Sequence, residues 1–108
     1  MPYSQGAIVV AEDPFGNNPT RPYLIVSNDT IPFYGQEYIA AGITTTARTE
    51  AIELRSDRFE RGTLPKQSYV SPWTVVTLKD WMITKQPAAV TDETVNEVRH
   101  ELNQYLGT

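Results

Sequence analysis

The residue best suited to chemistry in this sequence is Arg21, which directly precedes a proline. It stands near the end of a loop rich in proline and asparagine, residues 13–22, just before an apolar segment of strand length. Pro22 lacks a backbone N–H group and favours an extended conformation for the residue before it. An arginine held in this way at a strand edge can direct its planar guanidinium at a phosphate group. The alternative is an ion pair with Asp13 or Glu12 that closes the loop.

A run of hydroxyl side chains forms a second polar group at the end of a later apolar segment. Thr44, Thr45 and Thr46 follow the sequence Ile-Ala-Ala-Gly-Ile. Threonine hydroxyls at a strand end can donate hydrogen bonds to a phosphate oxygen. A threonine run also fits a strand end that has no function, because β-branched residues are common in strands. Both interpretations remain open from the residues alone.

Polar and aromatic side chains alternate at Tyr69, Ser71 and Trp73. Residues two apart share one face of a strand, so this spacing predicts a common face for the three. Aromatic side chains on an open sheet face stack on nucleobases in many single-strand binding proteins. The alternative is that these aromatics belong to the hydrophobic core.

The composition excludes several other kinds of chemistry. The chain has no cysteine, which excludes disulfides, zinc ribbons and thiol catalysis, and its one histidine cannot form a histidine-rich metal site. We therefore expect no metal and no cofactor. The histidine, His100, lies opposite the apolar residues of a predicted helix, so we expect it to be exposed and inert.

The chain carries a net charge of −4, which argues against a protein that coats nucleic acid through excess Lys and Arg. Residues 91–108 hold four acids and one base, so −3 of this charge lies there and −1 on residues 1–90. A small phosphate site in the first part thus remains compatible with the sequence. The acid excess together with 6 Arg against 3 Lys suggests either adaptation to high salt or compositional drift.

Length and patterning predict one domain, residues 1–108, that is mainly β. Val, Ile and Thr together outnumber Leu by 29 to 6, which favours strands. Apolar runs bounded by Gly, Pro and Asn predict strands over residues 7–12, 23–27, 37–45, 51–54, 67–70, 74–78 and 86–90, the last an edge strand that starts at Pro87. Residues 56–62 are predicted as a helical turn. From Thr91 the apolar spacing changes to that of an amphipathic helix with Thr91 as N-cap and Gly107 as its end.

No apolar run approaches the ~20 residues of a membrane-spanning helix. The first ten residues contain no basic segment before their apolar stretch, which disfavours a secretory signal. We therefore expect a cytoplasmic protein that does not interact with membranes.

In order and spacing these segments resemble the MazF/PemK toxins. Residues 5–9, Gln-Gly-Ala-Ile-Val, resemble the family's opening strand, and residues 21–29, Arg-Pro-Tyr-Leu-Ile-Val-Ser-Asn-Asp, closely resemble its second strand. Residues 39–44, Ile-Ala-Ala-Gly-Ile-Thr, resemble the strand that ends in the family's functional threonine. The terminal helix fits as well, so the resemblance covers nearly the whole chain.

The resemblance implies a small Src-homology-3-like β-barrel with short helical turns and a C-terminal amphipathic helix, normally a homodimer. It implies a toxin of a type II toxin–antitoxin system that cuts single-stranded RNA without a metal, by attack of the RNA 2′-hydroxyl on its own phosphate. The partner would be a cognate, DNA-binding antitoxin. By position, Arg21 would act as acid or transition-state stabiliser, and Thr44 would hold the phosphate.

The chain also departs from the family pattern. The first loop is shorter and lacks the family's Glu-Gln pair, and Tyr69-Val70-Ser71 stands where some members carry Arg-x-Asp. Glu12 or Asp13 is then the expected general base. The residues expected to bind RNA are Phe15, Asn17, Thr45, Thr46, Arg48, Tyr69, Ser71 and Trp73. The alternative function is a barrel-type binding module that has lost nuclease activity.

Overall fold

Strand β1, Ala7–Glu12, shows how the apolar residues build the sheet of this protein. Successive side chains of a strand point to opposite faces, so Ile8 enters a core on one side and Val9 a core on the other. Both are fully buried. Strand β1 lies near the middle of its sheet. The computed structural model describes residues 2–14, 16 and 19–107.

The described residues form seven strands, one α-helix and two 3₁₀ turns. The other strands are β2 (Thr20–Ile25), β3 (Glu37–Thr44), β4 (Ile52–Glu53), β5 (Phe59–Gly62), β6 (Tyr69–Lys79) and β7 (Ile83–Val90). The 3₁₀ turns are Ser56–Arg58 and Asp80–Met82, and helix α1 is Asp92–Tyr105. All paired strands are antiparallel, in the order β4-β6-β3-β2-β1-β7-β5. This confirms the predicted small, mainly β fold: a sheet curled into a half-barrel with one C-terminal helix.

Two cores lie on opposite faces of the sheet. The helix-side core contains Val95 and Val98 of α1 together with Ile8, Leu24, Val26, Ala41, Ile43, Ile52, Leu54, Val70, Ala88 and Val90. The outer core contains Ala7, Val9, Ala11, Tyr23, Ile25, Tyr38, Ala40, Val76, Leu78 and Met82. Because both faces are covered, the central strands consist of nearly continuous apolar residues.

Helix α1 begins as the sequence predicts. The Thr91 hydroxyl accepts a hydrogen bond from the Thr94 amide at 3.2 Å, which satisfies one of the free N–H groups of the first turn. Asp92 and Glu93 occupy that turn, where the helix dipole favours acids. None of the described helices is long and apolar enough to cross a membrane.

The prediction of two strands at 67–70 and 74–78 is wrong, because β6 runs without a break through Pro72. Ser71 pairs with Gly42 and Val75 pairs with Ala41, so residues 72–74 bulge out of the ladder between them. A bulge leaves residues without ladder hydrogen bonds, which suits a proline that has no N–H to donate. Gly42 makes room for it, since a Cβ there would lie 2.9 Å from the Thr74 methyl carbon.

Three further boundaries differ from the sequence-based expectations. Strand β7 begins at Ile83 and lies between β1 and β5, so it is not an edge strand, and the pairing with β1 shifts register around Pro87. The helical turn ends at Arg58, and Phe59–Gly62 extends as a strand. Strand β2 begins at Thr20 and therefore includes Arg21.

Candidate functional site

Arg21 lies at the start of β2, where it pairs with Ala11 of β1. Its side chain is half-buried, and Nη2 donates a hydrogen bond of 3.4 Å to the Ile43 carbonyl oxygen on β3. The guanidinium is thus attached to the neighbouring strand by one of its N–H groups. A guanidinium has five such groups in a planar fork, so the rest remain for a ligand.

Thr44 ends β3 on the same face of the sheet as Arg21. Tyr23 of β2 pairs with Gly42 of β3, so the two residues lie on one face of the sheet. Arg21 lies two residues before Tyr23 and Thr44 two residues after Gly42, and residues two apart in a strand share a face. The Thr44 Oγ1 atom accepts a hydrogen bond of 3.1 Å from the Thr46 amide. Since a hydroxyl both accepts and donates, the Thr44 proton remains free to point at a ligand.

These residues line one cleft of about 490 Å³, which we call the Arg21 cleft. Its lining comes from β2, from the end of β3 and from the segment before β6, and consists of Thr20, Arg21, Pro22, Ile43, Thr44, Thr45, Lys66 and Ser68. Among the described residues, the lining includes two cations, Arg21 and Lys66, and no carboxylate. In a chain of net charge −4, this cleft therefore concentrates positive charge and hydroxyl groups.

The two carboxylates at the end of β1 have different surroundings. Glu12 is exposed and pairs across the strands with Thr20, a residue of the Arg21 cleft. Asp13 is buried and lies close to the Tyr23 hydroxyl. Burial raises the pKa of Tyr23, Asp13 raises it further, and the positive charge of Arg21 lowers it. The Tyr23 hydroxyl is buried and meets no described atom in hydrogen-bonding geometry, so Asp13 acts on it mainly through its charge.

The other residues predicted to bind RNA fall into four groups. Thr45 lines the Arg21 cleft, Thr46 is exposed next to it, and Tyr69 pairs with Thr44 across β3 and β6. Ser71 is buried, with only 7% of its surface exposed. Phe15 and Asn17 lie outside the residues that the structure describes.

Arg48 and Trp73 lie in a different place from Arg21. They line a separate cleft with Glu50 and Tyr105, and the rings of Trp73 and Tyr105 meet edge to face at 6.3 Å between centroids. The expected alternation of Tyr69, Ser71 and Trp73 fails because the bulge at residues 72–74 interrupts the two-residue period before Trp73.

Lys66 and Ser68 are cleft residues that the sequence did not indicate. They precede β6, and Tyr69, the first residue of that strand, pairs with Thr44, which brings the segment to the cleft. The Ser68 hydroxyl donates to the Lys66 carbonyl oxygen at 2.8 Å and so orders the chain there. A lysine and a serine in a polar connection give no signal of their own. Only the pairing of β6 with β3 could have revealed them.

His100 is exposed, as expected, and its Nε2 atom lies 3.1 Å from the amide nitrogen of Gln104. Within residues 2–14, 16 and 19–107, no three His, Cys, Asp or Glu side chains are grouped so that they could hold a metal ion. The groups available for chemistry in the Arg21 cleft are therefore the guanidinium, the ammonium of Lys66 and the hydroxyls.

The sequence matches a family described as PemK-like, MazF-like toxin of type II toxin–antitoxin system, over residues 4–106. No curated protein matches it significantly. Among solved structures, an endoribonuclease from Mycobacterial species has 23% sequence identity and a TM-score of 0.77, over 99% of this chain and 93% of that one. An endoribonuclease in complex with its cognate antitoxin, also from Mycobacterial species, has 24% identity and a TM-score of 0.75, over 97% and 95%. A chain of the MazE–MazF crystal structure (Form II) from Deinococcus radiodurans has 19% identity and a TM-score of 0.74, over 100% of this chain and 98% of that one. At these identities the structural likeness shows a shared fold.

Proposed function

Because the chain belongs to the PemK-like, MazF-like toxins of type II toxin–antitoxin systems, we propose that it is an endoribonuclease whose active site is the Arg21 cleft. Two similar solved structures are described as endoribonucleases, and the likeness covers nearly the whole length of each. The observation that carries the proposal is the cleft lining, whose described residues join a guanidinium, an ammonium and threonine hydroxyls and include no carboxylate. Such a lining favours a phosphodiester in a protein that is otherwise acidic.

The reaction is the attack of an RNA 2′-oxygen on the adjacent phosphorus. A P–O2′ bond forms, the P–O5′ bond breaks, and the products are a 2′,3′-cyclic phosphate and a 5′-hydroxyl. The proton of the 2′-hydroxyl passes to a carboxylate, and the leaving 5′-oxygen takes a proton from solvent. Single-stranded RNA is the substrate because its backbone can bend to align the attacking and leaving oxygens.

Arg21 stabilises the charge that develops on the pentavalent phosphate. A guanidinium keeps its proton throughout the pH range of proteins, so it stabilises the transition state and does not serve as the acid. Its hydrogen bond to the Ile43 carbonyl oxygen fixes its direction before the substrate binds. The Thr44 hydroxyl, held by the Thr46 amide, donates to a non-bridging phosphate oxygen.

Glu12 is the base in this mechanism. It is exposed and lies across from a residue of the cleft, whereas Asp13 is buried beside Tyr23. A base must reach the hydroxyl that it deprotonates, either directly or through one water. Exposure therefore favours Glu12 over Asp13.

The family to which the chain belongs indicates the partners with which it acts. The family consists of toxins from type II toxin–antitoxin systems, and two of the similar structures hold a toxin with its antitoxin. We therefore place this chain with a cognate antitoxin, as a homodimer in the cytoplasm, where single-stranded RNA is available. The exposed apolar side chains of Ile39, Trp73 and Val75, each about two-fifths exposed at 38%, 43% and 43%, support burial against another protein.

Substitution of Arg21 tests the proposal. Purified protein is incubated with mixed single-stranded RNA in the presence of a chelator, and the cleaved ends are identified. We expect Arg21→Ala to lower the cleavage rate by ~10²-fold or more, because the transition state loses its guanidinium. Arg99→Ala is the matched control, since Arg99 lies on the exposed face of α1 and bonds only Asn96 at 3.2 Å among the described residues.

Full cleavage by Arg21→Ala would reject the assignment of the site. No cleavage by the unsubstituted protein, combined with tight binding of a protein target, would identify a binding module in place of an enzyme.

A further inference from the structure

Lys66 lies on the ridge between the Arg21 cleft and a second cleft of about 220 Å³, which we call the side cleft. The apolar surface of the side cleft includes Leu54, Phe59 and Leu64, and Ser56, Thr63 and Gln67 give it polar groups. Like the Arg21 cleft, it has no carboxylate among the described residues that line it. The two clefts meet at Lys66, and the Glu53 carboxylate lies next to the side cleft, where it accepts a hydrogen bond of 3.1 Å from the Gln67 side-chain amide.

The backbone of Lys66 is fixed while its side chain is exposed. Its carbonyl oxygen accepts a hydrogen bond of 2.8 Å from the Ser68 hydroxyl. The Ser68 carbonyl oxygen in turn accepts a hydrogen bond of 2.9 Å from the Leu54 amide. This arrangement attaches the segment to β4. In the described part of the chain, the ion pairs are Arg55–Asp57, Arg58–Glu97 and Lys79–Glu37, and none involves Lys66. The ammonium is therefore available to an anion that spans the ridge.

We infer that the side cleft binds the nucleobase next to the cleaved bond, and that Lys66 binds the phosphate that joins this nucleotide to the one in the Arg21 cleft. The inference rests on the proposed function and adds a subsite to it. The exposed parts of Phe59 and Leu64, which otherwise pack on the helix-side core, contact the face of the base, and the hydroxyls of the side cleft contact its edge. A bridging phosphate explains why a cation stands between two clefts that both lack carboxylates.

The inference can be tested by combining substitution of Lys66 with shortening of the RNA. Mixed-sequence single-stranded RNA is digested and the ends are sequenced to find a cleaved sequence, and this RNA is then shortened nucleotide by nucleotide from each end. In the unsubstituted protein, loss of the nucleotide in the side cleft should lower kcat/KM about tenfold, the size expected for one charge-assisted contact. Lys66→Gln should cause a similar loss of kcat/KM.

The combination of the two changes distinguishes a shared contact from separate ones. If Lys66 and the terminal nucleotide share the phosphate contact, shortening the RNA should cost less in Lys66→Gln than in the unsubstituted protein, because only the base contacts are left to lose. Lys66→Arg should restore the full rate, and the slope of log K against log salt should fall by ~0.7 in Lys66→Gln, as for one phosphate contact on a single strand. Lys85→Gln makes the same charge change at an exposed position of β7 and should have no effect.

Two results would overturn the inference: losses that multiply independently, or Lys66→Gln that cleaves every RNA like the unsubstituted protein. If the unsubstituted protein cleaves no RNA, the proposed function fails on its own. The same cycle is then measured as dissociation constants for mixed RNA and its shortened forms. Binding that does not depend on Lys66 would reject the subsite as well.

Discussion

A guanidinium that is held by one backbone carbonyl keeps most of its N–H groups for a ligand. Arg21 has this arrangement, because its bond to the Ile43 carbonyl oxygen joins β2 to the end of β3. Lys66 differs, since its ammonium is exposed and only its backbone is fixed. At the scale of single residues, Arg21 is therefore suited to stabilising a transition state, and Lys66 to binding an approaching strand.

The choice between the two carboxylates of β1 gives a prediction for the base. Glu12→Gln should lower kcat by ~10²-fold or more, in the range measured for general bases, and should remove the rise of rate with pH on the acidic side. Asp13→Asn should keep that rise, because Asp13 is buried beside Tyr23 and acts on its surroundings through charge. The measurement is the pH dependence of kcat for both variants, with circular dichroism as the control for folding. A rise that persists in Glu12→Gln and disappears in Asp13→Asn would assign the base to Asp13.

At the scale of elements, local patterning was sufficient for some segments and not for others. The bounds of β1 and the N-cap of α1 agree with the sequence, because Gly6, Pro14 and Thr91 act through their own neighbours. Strand β6 could not be predicted whole, since its bulge depends on Gly42, which is distant in sequence and opposite in the sheet.

The candidate site shows the same division. Arg21 and Thr44 follow from motifs within their own strands, and the structure brings both to one cleft. Lys66 reaches that cleft only through the pairing of β6 with β3, which no local pattern encodes. Trp73 was assigned to the RNA face by alternation, but a bulge changes the face on which later residues lie, and Trp73 lines another cleft.

Gly62 at the end of β5 gives a prediction for how the edge of the sheet is held. Its φ is +66°, and a Cβ would overlap the Pro87 carbonyl oxygen and lie 2.9 Å from the Ala88 Cα atom. Gly62→Ala should lower the free energy of unfolding by about 3 kcal/mol, from left-handed backbone strain and steric overlap together. Urea unfolding measures the change.

Gly107 provides the matched control for Gly62. Its φ of +81° is also left-handed, but a Cβ there would meet nothing within 4 Å. Gly107→Ala should therefore cost only about 1 kcal/mol, the part due to backbone strain. Equal losses for the two variants would mean that β5 moves away from β7 at little cost, and that the close approach at Gly62 does not stabilise the sheet.

At the scale of the whole molecule, charge is distributed unevenly. Most of the net −4 belongs to residues 91–108, whose acids lie largely on the solvent face of α1. Among the described residues that line the Arg21 cleft and the side cleft, the charged side chains are the cations Arg21 and Lys66. An acidic molecule can thus present a positive path to RNA. This separation repels nucleic acid from α1 and leaves the clefts as the favourable approach.

Two buried tyrosines of the outer core make the whole molecule less stable at alkaline pH. Tyr23 and Tyr38 are fully buried there, and burial raises the pKa of both hydroxyls above the ordinary value of about 10. The folded state then holds these protons more tightly than the unfolded state. Stability is therefore complete below about pH 10 and falls as the pH rises above it, by about 1.4 kcal/mol per pH unit for each tyrosine until its folded-state pKa is reached.

Two substitutions separate the tyrosines in urea unfolding measured from neutral pH to about pH 11. Tyr23→Phe should leave stability at neutral pH nearly unchanged, because its hydroxyl has no hydrogen-bonding partner among the described residues, and it should remove one tyrosine's share of the alkaline loss. Tyr38→Phe should likewise remove its own share of the alkaline loss, but it should cost about 1–2 kcal/mol at neutral pH. The Tyr38 hydroxyl accepts a hydrogen bond of 3.1 Å from the Tyr3 amide and donates one of 3.4 Å to the Asp80 carboxylate, and both hydrogen bonds would be lost. An alkaline slope that both variants leave intact would show that the outer core opens to water before either tyrosine ionises.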